Sequence, residues 1–234
     1  MSRGHLVVLN RGRRLSLALA ALLLLSLGAA SSARAAGEGV ASGYGWISAW
    51  TGLSFGDTIL LGDAEQTNAV TLDGGTEAPI FGIDVHYRTS RLDLGVILEG
   101  LGSGRFDGLT LTHRIGSQFR VAAQLRWRYL DEGWGALFTS LSPGLMIFGH
   151  SDALRGQVTE LAGGDVLGFE EADEFSLGFT LGLDFGALVY LSDRLALSFE
   201  LAVLTNTTSV SARGQDISYT AVRGVFTAGL EWRM

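Results

Sequence analysis

Apolar and polar residues alternate with a period of two through most of the chain, and the alternation is longest between Glu174 and Asn206. Phe175, Leu177, Phe179, Leu181, Leu183, Phe185, Ala187 and Val189 take every second position, with Ser176, Gly178, Thr180, Gly182, Asp184 and Gly186 between them. After Leu191-Ser192-Asp193 the pattern resumes as Leu195, Leu197, Phe199, Leu201 and Val203. A period of two marks strands with one apolar and one polar face. The run of about fifteen residues is far longer than the ~5–6 of an ordinary strand. Two such strands joined by a short turn predict a hairpin of a membrane-spanning β-barrel.

Six further segments carry the same signal. The first is Tyr44–Phe55. The second, Ile80–Arg88, sets Phe81, Ile83, Val85 and Tyr87 against Gly82, Asp84, His86 and Arg88. Arg91–Leu101 follows a Thr89-Ser90 turn, and Gln118–Leu130 alternates Phe119, Val121, Ala123, Leu125, Trp127 and Tyr129 with polar residues that include Arg120, Arg126 and Arg128. In the fifth strand, Trp134–Phe148, the phase is ambiguous. Pro143 cannot donate to a ladder, so a bulge is expected near Ser142–Gly144. The eighth, Ser218–Met234, places Tyr219 to Ala221 out of step with a cleaner end. Connections of two to four residues alternate with long ones, at 56–79, 102–117, 149–173 and 207–217. That alternation puts the turns at one end and the loops at the other, as in outer-membrane barrels. The expected fold is all-β, an eight-stranded antiparallel up-and-down transmembrane barrel.

The alternative is a soluble secreted barrel of the lipocalin kind, in which the apolar face would line a cavity. Against it, the polar face is rich in Gly178, Gly182, Gly186, Ala196, Ser198 and Ala202, small for a solvated surface. Its arginines and carboxylates are roughly balanced, as in an interior of paired charges. The expected lumen network comprises Asp84, His86, Arg88, Asp93, Glu99, Arg120, Arg126, Arg128, Asp184, Glu200 and Glu231. A three-residue turn at 191–193 would set Asp184 opposite Glu200, and a Thr89-Ser90 loop would set Arg88 against Arg91 and His86 against Asp93. Arg126 and Arg128 are candidates to neutralise the acids. Eight strands leave an interior just filled by side chains, so no wide channel is expected.

The N-terminus changes the picture of where the barrel goes. A basic segment with Arg3, Arg11, Arg13 and Arg14 precedes an apolar run, Leu15–Ala30, and the small residues Ala33 and Ala35. This is the pattern of a cleavable signal peptide over residues 1–35, with residues 36–234 as the barrel domain; the run is short of the ~20 residues of a spanning helix. The net charge of −7 becomes more negative once the leader goes. Five of the 17 basic residues lie in the leader and none of the 24 acidic ones, leaving 12 against 24. An acidic body excludes nucleic acid as a partner. With no cysteine there is neither a disulfide framework nor a thiolate metal site.

At this point the pattern resembles the eight-stranded OmpA-like transmembrane barrels and, more loosely, OmpW-type and other small outer-membrane barrels, over residues 40–234. Phe226, Leu230, Trp232 and Met234 resemble the terminal signal read by the barrel-insertion machinery, although that signal normally ends in an aromatic residue. The chain stops at the eighth strand, where larger members add a peptidoglycan-binding domain. The resemblance implies a Gram-negative type outer membrane, periplasmic termini, and contact with outer-membrane lipid and lipopolysaccharide.

Candidate chemistry is thin. His86, His113 and His150 are isolated, so neither metal nor cofactor is expected. The acidic loop residues (Asp57, Asp63, Glu65, Asp73 and Glu77, then Asp152 to Glu174) have no calcium-loop spacing and are expected to be solvated, or at most to bridge weakly to lipid head groups through divalent cations. His150-Ser151-Asp152 is the one cluster suggestive of a lipid-modifying enzyme, yet neighbours in extended backbone point apart. Three functions stay open: a non-enzymatic barrel that presents surface loops, a narrow conduit for small or apolar solutes, and a lipid-active enzyme.

Overall fold

A computed structural model describes residues 43–62, 69–74, 78–102, 105–107, 112–114, 116–165 and 167–234. Residues 1–35, expected to be a signal peptide, and the loop residues Asp63, Glu65 and Glu77 lie outside the described residues. The described residues form eleven strands: β1 (Tyr44–Gly62), β2 (Ala69–Gly74), β3 (Ala78–Arg88), β4 (Leu92–Leu101), β5 (Arg105–Asp107), β6 (Thr112–Arg114), β7 (Gln118–Glu132), β8 (Gly135–Gly149), β9 (Phe175–Ser192), β10 (Leu195–Ala212) and β11 (Gln215–Arg233). Eight of them, all antiparallel, close a ring in the order β1-β3-β4-β7-β8-β9-β10-β11 and back to β1. The remaining three build hairpins at the loop end, β2 on the far half of β1 and β5 on β6.

The pairing fixes the barrel's geometry. Following ladder partners from Gly45 leads through Tyr87, Leu94, Leu125, Leu141, Leu183, Val203 and Gly224 back to β1 at Phe55. The circuit thus returns ten residues further along the same strand. Such a stagger tilts the strands by roughly 35–45° and draws an eight-stranded wall close around its side chains. No room remains for a wide channel.

Which face is inside follows from burial. Through the membrane-spanning part of the ring strands the charged and small residues point inward and most of the large apolar ones face out: Phe179 is 74 % exposed, Phe81 61 %, Trp127 60 % and Trp232 58 %. This inverts a soluble barrel, so the outer face requires lipid. Tyr44, Trp127, Tyr129, Trp134 and Trp232 are exposed near the turn end, where amphipathic rings suit the membrane interface. The described residues contain no helix long and apolar enough to cross a membrane; crossing is by strands.

Close contacts within the wall depend on glycine. A Cβ on Gly186 would stand 2.2 Å from the Phe138 ring, its ladder partner on the lumen face. On the outer face, Phe81 lies across Gly100 in the same way, at 2.6 Å.

Several expectations are corrected. Pro143 causes no bulge: β8 runs in unbroken register against β9, and the irregularity in β7–β8 falls between Arg128 and Leu130. Tyr219 and Ala221 are in step with the rest of β11; the upper lumen is apolar there, which made the phase look broken. The expected long loop 207–217 is a tight turn at Arg213-Gly214, both at positive φ (50° and 78°), between strands that run well past the ring. The connection 149–173 folds into helix α1 (Asp152–Leu161) and a 3-10 turn, Phe169–Glu171.

Helix α1 follows from its sequence and its surroundings. Ser151 caps it by accepting from the Leu154 N–H at 3.3 Å. Leu154, Val158 and Ala162, spaced by four, pack against Ile59, Leu61, Phe148, Val210, Ile217 and Tyr219 at the barrel mouth. Arg155 Nε donates to the Ala172 carbonyl, and Arg213 reaches from the β10–β11 tip to the Gly163 carbonyl and to Glu171. The mouth is closed by an apolar stopper.

Candidate functional site

Below that stopper the lumen is built from arginines and carboxylates on facing strands. Arg126 is fully buried and reaches across the lumen to two acids on the neighbouring strands β10 and β11: Nη1 donates to Glu231 at 2.6 Å and Nη2 to Glu200 at 3.0 Å. Its guanidinium also lies 4.2 Å over the Phe138 ring. Glu231 takes a second arginine, Arg88, at 2.9 Å, and Arg88 stacks 4.1 Å over Trp46. Asp93 joins Arg88 and Arg128 at 3.5 and 3.2 Å. Arg128 also contacts Asp131 and donates to the Thr89 carbonyl, tying this layer to the turn end. His86 Nδ1 sits 2.6 Å from Asp84, which accepts from Ser48 as well. Higher up, Arg120 pairs with Glu99 at 3.3 Å and donates to the carbonyl and hydroxyl of Ser142, both at 2.6 Å; Asp184 accepts from Ser140 at 2.6 Å.

All eleven residues singled out for the lumen therefore face inward, and most are joined into one network. The registers of two hairpins differ from expectation. Asp184 opposes Ala202 and Glu200 opposes Gly186, because Asp193-Arg194 form a two-residue turn and the extra residue is taken up by an irregularity at Leu195–Ala196. Arg88 opposes Asp93, and His86 opposes Gly95, because the Thr89–Arg91 connection is longer than two residues. In both hairpins the faces are as expected and the partners are shifted by two. Arg223, buried on the same face of β11 as Glu231, was missed, although its odd-numbered position gave the signal. Ser140, Ser142 and Trp46, which complete the network, are unremarkable in sequence. Phe226, Leu230, Trp232 and Met234 all face outward at the C-terminus, 47–67 % exposed.

Among the described residues no group of three or more histidines and acids is placed to hold a metal ion. The suspected His150-Ser151-Asp152 cluster is taken apart: Ser151 caps α1, and His150 Nε2 instead lies 2.9 Å from the hydroxyl of Ser176 on β9. Burial lowers the His150 pKa to about 4, Arg155 adding to the effect and Asp173 opposing it. A base that weak takes a serine proton poorly, so the pair serves to pin the α1 segment to the wall. Between pH 6.5 and about 4 the unfolded segment binds a proton that the folded one does not, so its stability falls as pH falls through that window. Proteolysis within 150–174 is expected to speed up on acidification from pH 6.5 to 4. In a His150→Gln variant, which keeps a hydrogen-bonding group, that acceleration is lost; an unchanged pH profile would refute the assignment.

Neither a protein-family model nor a curated protein matches the chain. Solved structures do. The outer membrane protein OprG from Pseudomonas aeruginosa matches at 9 % identity over 83 % of this chain and 97 % of its own, with a TM-score of 0.51. Neisserial surface protein A matches at 11 % identity over 83 % of this chain and all of its own (TM-score 0.45). The outer membrane protease OmpT from Escherichia coli matches at 12 % identity over 84 % of this chain and 99 % of its own (TM-score 0.44). At 9 % identity the likeness to OprG concerns architecture alone, and it agrees with the closed ring and the apolar outer wall. The chain has the fold of the small eight-stranded outer-membrane β-barrels.

Proposed function

We propose that the chain is a non-enzymatic outer-membrane barrel of the Gram-negative type, with a closed lumen and a structured cap that it presents at the cell surface. Residues 1–35 act as the cleaved leader, and the turn end and both termini of the barrel face the periplasm. Phe226, Leu230, Trp232 and Met234 serve as the signal for the insertion machinery. The apolar wall contacts outer-membrane lipid, with lipopolysaccharide beside the cap. The lumen network acts as an internal brace rather than as a solute pathway.

One observation carries this reading: the charges meet across the lumen. Arg126 spans from β7 to β10 and β11, Arg88 closes on the same Glu231, and Ile80, Leu101, Leu204 and Val225 fill the section above them. A cavity between these layers at mid-barrel measures about 20 Å³. A space of that size holds about one water molecule, not a file of them. Refolded residues 36–234 in planar bilayers are therefore expected to show no single-channel steps, while the folded form migrates differently from the boiled one on gels. Steady conductance from the folded barrel would replace this reading with that of a narrow channel.

A further inference from the structure

The mid-barrel cavity lies between two packed layers, the Arg126–Glu231 contacts below and the Leu204–Val225 packing above. Its lining includes Glu99, Arg120 and Gln124. All three side chains are at least nine-tenths buried, and each keeps one polar atom without a protein partner: Glu99 Oε1, Arg120 Nε and Gln124 Oε1. Two are acceptors and one is a donor. Buried polar atoms left in this state are costly, and the remedy must both donate and accept.

We infer that this cavity is a binding site for a single structural water molecule, which donates to Glu99 and Gln124 and accepts from Arg120. The chemistry selects water over a cation. A cation could neutralise the carboxylates of the lining but offers no lone pair to the Arg120 N–H, and among the described residues no three acids or histidines converge as metal ligands. It also selects water over an apolar guest, which would satisfy none of the three atoms. The volume, about 20 Å³, exceeds the ~10–15 Å³ a water requires and falls well short of a solute. A water bound here lets Arg120 keep its contacts to Glu99 and Ser142 while its Nε–H is also satisfied.

The inference rests on the closed-lumen reading, and its test separates the two. In micelles, water-selective NMR on the folded barrel should give a long-lived water cross-peak at the Arg120 Nε–H. Thr227, whose hydroxyl could relay exchange, also lines the cavity, so a displacement arm is included. Ala202→Val, on the cavity wall, should abolish the peak with Thr227 untouched, and Gln124→Leu should weaken it. Heat-modifiable migration establishes that each variant is folded. No peak in the folded wild type, or one unchanged in Ala202→Val, overturns the inference while leaving the closed lumen standing. Single-channel conductance in the wild type overturns both, because the water would then exchange with bulk. A cross-peak lost when sodium is exchanged for a large organic cation would assign the site to the ion instead.

Discussion

Replacing Arg126 with methionine is expected to cost the barrel about 3–5 kcal/mol, the range for breaking a buried ion pair by removing one partner. Methionine keeps much of the side chain's length and its contact with Phe138, so the loss is chiefly electrostatic. Glu231 would still have Arg88 at 2.9 Å, whereas Glu200 would lose the arginine that pairs with it. The penalty should therefore trace mainly to Glu200. Restoring neutrality with Glu200→Gln in the same chain should recover about 1–3 kcal/mol, a coupling typical of residues in one network. Arg126→Lys should fall between, because its three N–H groups share one nitrogen, whereas the guanidinium sets Nη1 and Nη2 apart to meet acids on two strands. Equilibrium urea unfolding in phospholipid vesicles, followed by tryptophan fluorescence, measures all four proteins. A cost below about 1 kcal/mol for Arg126→Met would mean that the network does not brace the wall.

How much of this could be read from the letters depends on which physical quantity each feature needs. Facing needs only parity. Asp184, Glu200, His86 and Glu231 reach the lumen because side chains alternate across a strand, and parity survives any shift of two. Register needs the turn. The sequence at 191–194 does not say whether three residues turn or two turn with an irregularity beside them, and the Asp184–Glu200 opposition failed for that reason. The loop end was harder. The alternation in β10 continues through Asn206, Thr208 and Val210, but its outward face changes there from Phe199, Leu201 and Val203 to Thr205, Thr207 and Ser209. A strand leaving the bilayer exchanges its apolar outer face for a hydroxyl one and looks like the start of a loop. Helix α1 was hidden differently: its apolar stripe is short, Leu154, Val158 and Ala162 with Leu161 partly buried beside them, and it is held by packing in a mouth formed by strands distant in sequence. Pro143 was over-read, since its missing N–H costs a ladder bond without forcing an extra residue.

Leu201 and Leu191 are each 54 % exposed, so in water an arginine at either position should be nearly neutral. In a bilayer they differ by depth. Leu201 pairs with Phe185 and Phe226 near the middle of the apolar band, whereas Leu191 lies one residue from the end of β9 at the turn end. Arginine at the midplane of a barrel's lipid face costs about 2–4 kcal/mol, and near the interface about 0–1 kcal/mol. Leu201→Arg is therefore expected to destabilise the barrel by about 2–4 kcal/mol in vesicles, and Leu191→Arg by no more than ~1 kcal/mol. Ala202 supplies the internal contrast. It is adjacent in sequence but faces the lumen, so Ala202→Val should change the cavity without any dependence on bilayer thickness. Thinner bilayers bring position 201 closer to water and should reduce the Leu201→Arg penalty. If both arginines cost equally little, the outer wall does not face lipid, and the barrel's apolar surface would have to be covered by protein.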